Sequence, residues 1–425
     1  MTDFATVDFL TDQSLVPDPY PYYDYLREQS PTVRLELHGF VAVTGYEEAL
    51  EVYKNPEDFS NIVALGGPFP PLPFTPEGDD LNEQIDAHRT YFPMNEHMVT
   101  MDPPDHTKAR SLLSRLLTPK RLKENEDFMW RLADRQLDEF ISLGHSEFLA
   151  EYAKPFSLLV IADLLGVPEE DHKEFRTVLG ADRPEAQVGS LNHVSVGTNP
   201  LEFLDEKFSS YLEERRRNPR EDVLTELATA KYADGSTPEI IDVVRTATFL
   251  FAAGQETTAK LLSAAIKALA ERPELQQSLR DDRSLIPTFI EESLRLESPV
   301  KSDSRLARRS SKVGDMDIKA GTVVMVLPGA ANRDPRRFTD PHEFQVRRPN
   351  VREHIAFGRG AHSCPGAPLA RVEGRVSLER MLDRMGEITI DEEFHGPADD
   401  RRYGYEPTYI LRGLADIHVR FTGRS

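Results

Sequence analysis

HIAFGRGAHSCPGAPLAR, residues 354–371, is the stretch on which the fold turns. Gly358, Gly360 and Gly366, with Pro365 and Pro368, surround Cys364, the only cysteine of the chain. Glycine lacks the Cβ that keeps other groups off the backbone, so close approach is possible at three points of this loop. If Cys364 ligates a metal, backbone N–H groups aimed at its sulfur stabilise the thiolate, and a helix starting near Ala367 adds its positive dipole end. The ordinary reading of a lone cysteine, a small inert core side chain, leaves the glycine spacing unexplained. A dinucleotide-binding loop fails, because the sixth position after Gly358-Arg359-Gly360 begins G-x-G is Ser363 and no crossover with a later acid follows. A cysteine nucleophile served by His362 stays open as a minor alternative, although side chains two apart diverge.

The rest of the composition narrows the function. The chain has 425 residues, 51 Lys+Arg against 72 Asp+Glu and a net charge of −21, the wrong sign for a nucleic-acid binder. One cysteine excludes an intrachain disulfide, a cysteine-rich zinc cluster and a cysteine-ligated iron–sulfur cluster. The opening MTDFATVDFLTDQSLVPDP has neither a basic n-region nor an apolar core, so no signal or transit peptide is legible. The best apolar run, Ala247 to Gly254, is far short of the ~20 residues a membrane span needs. A cytoplasmic chain with no membrane anchor is expected.

Periodicity predicts a mainly α chain with small β-sheets, in a single domain over 1–425. Tyr20 to Gln29 reads as a helix, and Val33 to Leu37 with Phe40-Val41 as two strands turning at His38-Gly39. Helical spacing dominates Lys108 to Leu143 and about Pro200 to Arg283. Strand patterns recur near 313–326 and 408–421, so two small sheets are expected, forming a β-rich part with the N-terminal strands. Gly66 to Pro76, GGPFPPLPFTP, is either a solvated loop or a lid carrying Phe69 and Phe74 over a pocket. Ile240 to Ala270 reads as one long helix interrupted at Ala252-Ala253-Gly254-Gln255-Glu256-Thr257-Thr258. There the small Ala253-Gly254 pair admits a flat neighbour, and the Thr257 hydroxyl can bond the Ala253 carbonyl and open the ladder.

Phe357-Gly358-x-Gly360-x-His362-x-Cys364-x-Gly366 resembles the haem-binding signature of the cytochrome P450 superfamily. The resemblance covers essentially the whole chain and implies a haem-thiolate monooxygenase of soluble bacterial type. It implies haem b with Cys364 as the iron ligand, and a cradle that includes Phe357, Gly358, Gly366, Ala253 and Gly254. The haem propionates would meet His106 and Arg110 of DPPDHTKAR, Arg305 of DSRLA and His362, with Asp303 orienting Arg305 or bonding a propionate. Glu292 and Arg295 of EESLR would form a structural network with Arg348 of FQVRRPN, Arg347 being the fallback. Glu256 and Thr257 match the family's acid–alcohol pair: Thr257 would hold the reduced dioxygen or its water, and Glu256 would relay protons from bulk.

The resemblance also implies O₂ and a small or medium hydrophobic substrate, such as a terpenoid, fatty acyl derivative or steroid-like ring system. Phe69, Phe74, Met98, Phe249, Val300, Ser302, Ile410 and Leu411 are the expected pocket, while His38 and His97 are treated as surface or packing residues. No flavin reductase is appended, so electrons would come from a [2Fe-2S] or related ferredoxin with its reductase. The donor would dock on a basic patch of Arg115, Lys120, Arg121 and Arg359. A haem-thiolate peroxygenase, a non-catalytic haem protein and a cysteine hydrolase are the rival functions.

Overall fold

The computed structural model describes residues 4–67, 71–114, 116–179 and 201–423. The chain is mainly helical with small sheets, and its largest core is built between helices. The long helix Ile240–Ala270 runs through that core and touches Lys154–Leu165, Glu202–Arg217, Ile286–Leu296 and Ala367–Arg384. Lys154–Leu165 is almost wholly buried and ends where Gly166 takes the left-handed conformation, φ 77°. Pro119–Phe140 starts on Thr118, whose hydroxyl accepts the Arg121 N–H, with proline in the first turn where its missing donor costs nothing. This helix lies parallel to Ala367–Arg384, since Arg375 meets Glu126 at 2.7 Å and Arg384 meets Asp138 at 2.6 Å. The first turn of Pro119–Phe140 therefore sits at the cysteine end of its neighbour.

Ten short strands are found among the described residues: β1 Thr32–Leu35, β2 Phe40–Val43, β3 Phe59–Ser60, β4 His145–Glu147, β5 Asp303–Ala307, β6 Ser311–Val313, β7 Met316–Ile318, β8 Val323–Val326, β9 Met385–Ile390 and β10 His418–Gly423. The main sheet has the order β1-β2-β8-β5-β3. Its β1–β2 hairpin pairs Leu35 with Phe40, β2 lies parallel to β8, and β5 lies antiparallel to β8 with Arg305 opposite Val324. A second sheet has the order β4-β10-β9, and β6–β7 is a separate hairpin.

Two expectations change here. There are three sheets rather than two, and the segment from Thr408 does not join the N-terminal strands. Residues 405–414 fold back as a strap: Tyr405 bridges Leu414, the Glu406 N–H donates to the Gly413 carbonyl, and the Thr408 hydroxyl bonds both N–H and carbonyl of Leu411. Local pairing consumes the groups a ladder would need, so the strand proper begins only at His418. The long helix is also unbroken through Thr258. A carbonyl oxygen has two lone pairs, so Ala253 can take the Thr257 hydroxyl without giving up its ladder partner. Among the described residues no helix is long and apolar enough to cross a membrane.

Candidate active site

The cysteine loop is held by its own backbone. Gly358 and Gly360 have φ of 62° and 71°, where a Cβ is strained, and a Cβ on Gly360 would run into the Tyr53 carbonyl at the end of helix Tyr46–Lys54. The Cys364 N–H donates to the Phe357 carbonyl at 2.8 Å. Protein encloses Cys364, yet its side chain is left accessible, so it faces open space from within the fold. Burial pushes its thiol up. The Gly366 and Ala367 N–H groups, with the Arg110 and Arg371 charges, act in the opposite direction. Gly366 itself has an ordinary φ of −79°, and a Cβ there would make only van der Waals contact with Sγ.

The four basic groups named from the sequence converge beside this loop. His106 lies on the short helix Asp105–Arg110, and its ring sits 3.8 Å from that of His362. Both His106 nitrogens and Nε2 of His362 are sealed from solvent without a hydrogen-bond partner. Arg110 donates to the Ser363 carbonyl at 2.7 Å. Arg305, buried on β5, is held by Asp303 at 2.5 and 3.0 Å and lies 5.4 Å over the Tyr53 ring. Asp303 thus orients the arginine. Burial, then Arg110, drives His106 down to about 4 against the pull of Asp102, and burial with Arg305, His106 and Arg110 drives His362 down to about 2. Buried polar atoms without partners are costly. A buried group bearing carboxylates would supply the missing acceptors and the opposite charge, so the residues present fit the propionate edge of a haem.

Two buried carboxylates, adjacent in sequence, tie this loop to helix Ile286–Leu296. Glu292 accepts from Arg295 at 2.7 and 2.9 Å and from Arg348 at 3.0 and 3.2 Å, all three being buried. The remaining guanidinium donors reach backbone carbonyls of Asn332, Pro341, Glu343, Asp340 and Thr339. Arg347, at 71% side-chain exposure, only approaches Asp282 at 3.7 Å and is not part of the network. The second acid, Glu291, was not anticipated. It takes the Nε2–H of buried His354 at 2.9 Å and two donors of Arg371, whose guanidinium also covers the Phe357 ring at 4.7 Å. Burial works to raise the Glu291 carboxyl, but these donors win and hold it at about 2. Burial keeps His354 neutral, and its Nδ1 accepts the Ala356 N–H, which fixes the tautomer. The signal was present, since His354 opens the quoted stretch and Glu291 precedes Glu292.

On the long helix the Thr257 hydroxyl donates to the Ala253 carbonyl at 2.8 Å. Ala253 is exposed in the middle of a helix that is buried along most of its length. Gly254 does not share that role: a Cβ there would come within 3.3 Å of Ile161 Cδ1, so this glycine serves helix packing. Glu256 meets the buried ammonium of Lys260 at 3.0 Å, and Lys260 also pairs with Glu406. Glu373 of helix Ala367–Arg384 is a fully buried acid that burial holds well above the usual carboxylate range, with Thr258 acting in the opposite direction. Lys260, Glu406 and Glu373 escaped the sequence reading; only Lys260, one turn after Glu256, had a local signal.

Four of the residues expected in the pocket, Val300, Ser302, Ile410 and Leu411, lie together. Val300 bridges Leu411, the Ser302 hydroxyl donates to the Tyr409 carbonyl at 2.5 Å, and Ile410 and Leu411 pack in the same cluster. Met98 packs against the main core, and Phe249 lies 6.2 Å from the His97 ring. Phe74 is not a free lid residue: it packs with Leu72, Ile85 and Leu306, 5.1 Å from His88. Phe69 and Arg115 lie outside the described residues. His97 is a packing residue with both nitrogens unpartnered, and His38 pairs with Asp8 at 2.8 Å. The basic patch is reduced, because Arg121 spends its guanidinium on the Asp163 and Leu164 carbonyls and Arg359 on those of Glu353 and His354. Lys120 remains exposed at the cysteine end.

The family model described as Cytochrome P450 matches residues 192–386. Cytochrome P450 144 of Mycobacterium tuberculosis is 34% identical over 378 residues, 88% of this chain and 84% of that protein. Among solved structures, the Mycobacterium marinum cytochrome P450 CYP150A6 in its substrate-free form matches with a TM-score of 0.94 at 70% identity, covering 100% of both chains. CYP109E1 from Bacillus megaterium, in complex with corticosterone, matches with a TM-score of 0.79 at 27% identity over 96% of this chain and 99% of that one. The chain belongs to the cytochrome P450 family, whose members are oxidoreductases of the monooxygenase class that bind haem b.

Proposed function

We propose that this chain hydroxylates or epoxidises a small or medium hydrophobic substrate, with electrons from a separate ferredoxin in the cytoplasm. The observation that carries the site assignment is the pair of histidines, buried His106 and half-buried His362, with three sealed, unpartnered ring nitrogens between Arg110 and Arg305. Cys364 is the iron ligand in this reading, supported by the N–H groups of Gly366 and Ala367 and by the Arg110 charge acting on its sulfur. Phe357 and Gly358 shape the loop, and His106, Arg110, Arg305 and His362 hold the two propionates. When bound, the haem would supply reductive activation of O₂. Thr257, its hydroxyl anchored on Ala253, holds a proton donor at the helix turn, and Glu256 passes protons inward from solvent. Val300, Ile410, Leu411, Met98 and Phe249 form the apolar wall, with Ser302 as its one polar member. The Glu292–Arg295–Arg348 network keeps the segment before the cysteine loop in place.

A steroid-like ring is the first substrate class to test, since the CYP109E1 match binds corticosterone and the wall residues here are mostly apolar. An acidic ferredoxin would meet Lys120 and the partly exposed Arg371 on the cysteine side. The test is the absorption spectrum of the ferrous protein under carbon monoxide. Wild type is expected to show the strongly red-shifted Soret band of thiolate ligation, and C364S to lose it while keeping its far-UV circular dichroism. An unchanged band in C364S overturns the ligand assignment. Titration with corticosterone, read as loss of the iron's water ligand, then tests the substrate class.

A further inference from the structure

Lys260 is a side chain with little reason to be where it is unless it has work to do. Its side chain is 4% exposed, deep enough that an unpaired charge would be strongly disfavoured. Burial lowers its affinity for a proton, but Glu256 and Glu406 more than restore it, so it stays charged. The two acids come from different places. Glu256 lies one turn earlier on the same helix at 41% exposure, whereas Glu406, at 12% exposure, comes from the strap 405–414. The strap is fitted to the lysine: the Glu406 N–H donates to the Gly413 carbonyl at 3.0 Å, and a Cβ on Gly413 would run into Lys260 Cγ and Cδ. Its far end is stitched to the pocket wall, with Lys301 N–H on the Ile410 carbonyl at 2.8 Å and Arg412 N–H on that of Pro299 at 2.9 Å. Glu256 is thus fixed through Oε1 at 3.0 Å, and among the described residues Oε2 makes no hydrogen bond.

We propose that Lys260 and Glu406 are positioning residues for proton delivery, holding Glu256 by one carboxylate oxygen so that the other is free to exchange protons between solvent and the Thr257 turn. The proposal rests on Glu256 and Thr257 being the proton relay. Without Lys260 the Glu256 side chain, a flexible chain near solvent, samples rotamers in which it cannot serve that turn. Without the Glu406 charge, Lys260 has Glu256 as its sole counter-ion and grips it harder, which slows exchange. Productive turnover combines RH, O₂, two electrons and two protons to give ROH and H₂O. When the protons arrive undirected, the same two electrons and two protons leave with O₂ as H₂O₂. Electrons in both cases come from reduced nicotinamide through the ferredoxin.

The experiment measures product and H₂O₂ per electron pair in the reconstituted holoenzyme for wild type, E256Q, K260M, K260R, E406Q and the doubles E256Q/K260M and K260M/E406Q, the last keeping the buried charge balanced. A substrate showing a spin-state shift is used, and each variant is checked for its carbon monoxide band. E256Q and K260M are each expected to lower product per electron pair roughly tenfold or more, as loss of a positioned acid does. E256Q/K260M should be no worse than E256Q alone, because Lys260 acts through Glu256. K260R should retain coupling, and E406Q should enlarge the solvent isotope effect on turnover. If E256Q leaves coupling intact, the relay assignment itself fails. If E256Q uncouples but K260M and K260M/E406Q do not, or the E256Q/K260M effects multiply, the relay stands and the positioning role is overturned.

Discussion

Consider the replacement E291Q. In the folded chain the donors from His354 and Arg371 hold the Glu291 carboxyl at about 2, against an ordinary 4.5. A group depressed on folding stabilises the fold above its unfolded value and loses that contribution as pH falls through the folded one. The gap is about 2.5 pH units, and at 1.36 kcal/mol per unit it is worth about 3 kcal/mol near neutrality. E291Q keeps the shape but removes the charge, so the wild-type advantage should be about 3 kcal/mol at pH 5 and about 2 kcal/mol at pH 3.5. His354 also weakens the fold as pH falls below 6.5, and because Glu291 raises its proton affinity this contribution differs between the two proteins, so the pair H354N and H354N/E291Q is measured beside them. The assay is urea unfolding of wild type and E291Q at a series of pH values in that window, followed by far-UV circular dichroism. A wild-type advantage that stays constant, or grows, as pH falls from 5 to 3.5 refutes the reasoning. Because His354 opens the cysteine loop, E291Q should also lose its thiolate-type carbon monoxide band faster than wild type during storage at mildly acidic pH.

R348M leaves Glu292 paired with Arg295 but takes the donors away from Glu292 and from the Thr339 and Asp340 carbonyls, so it should cost about 1–3 kcal/mol and lower haem content on purification, read by haemochrome absorbance against protein. G360A forces a side chain into a left-handed conformation and into the Tyr53 carbonyl, and should destabilise the fold by roughly 2 kcal/mol or more in urea unfolding. T257V removes a hydroxyl whose bond in the structure is to its own helix, so its unfolding curve should match wild type while H₂O₂ per electron pair rises several-fold. Equal coupling in T257V and wild type would contradict the role given to this residue.

What the sequence made legible shares one property: the constraint is carried by residues near one another in the chain. The loop glycines, the lone cysteine, the Glu-x-x-Arg spacing and the i−4 bond of Thr257 are each local, and each reappears in the geometry around Cys364, Glu292 and Ala253. Of the two adjacent arginines, Arg348, the one expected in the network, turns inward, and its fallback Arg347 faces solvent. Readings that needed a direction failed more often. Gly254 is small in the expected place, but its open side faces Ile161; Phe74 is aromatic in the expected loop, but it packs against the cluster of Ile85, Phe92 and Leu306. Arg121 and Arg359 are basic in the expected region, yet each is drawn onto backbone carbonyls that no pattern in one dimension identifies.

The pairing of Lys260 with Glu406 is the extreme case, since its two ends lie 146 residues apart. No spacing rule reaches that far, and the only local trace is a lysine one turn after an acid, an arrangement common on exposed helices. Burial changes its meaning. An exposed pair of this kind contributes a few tenths of a kcal/mol, whereas a sealed ammonium between two carboxylates binds the strap to the long helix. The strap reaches the pocket wall at Ile410 and Leu411, so the element that would touch substrate also sets the partner of the proton donor. Changes to Ile410 or Leu411 made to alter substrate preference should therefore move coupling as well, even where no new side chain approaches Glu256. An I410A variant that binds substrate with altered affinity at wild-type coupling would show that the strap does not transmit between the two.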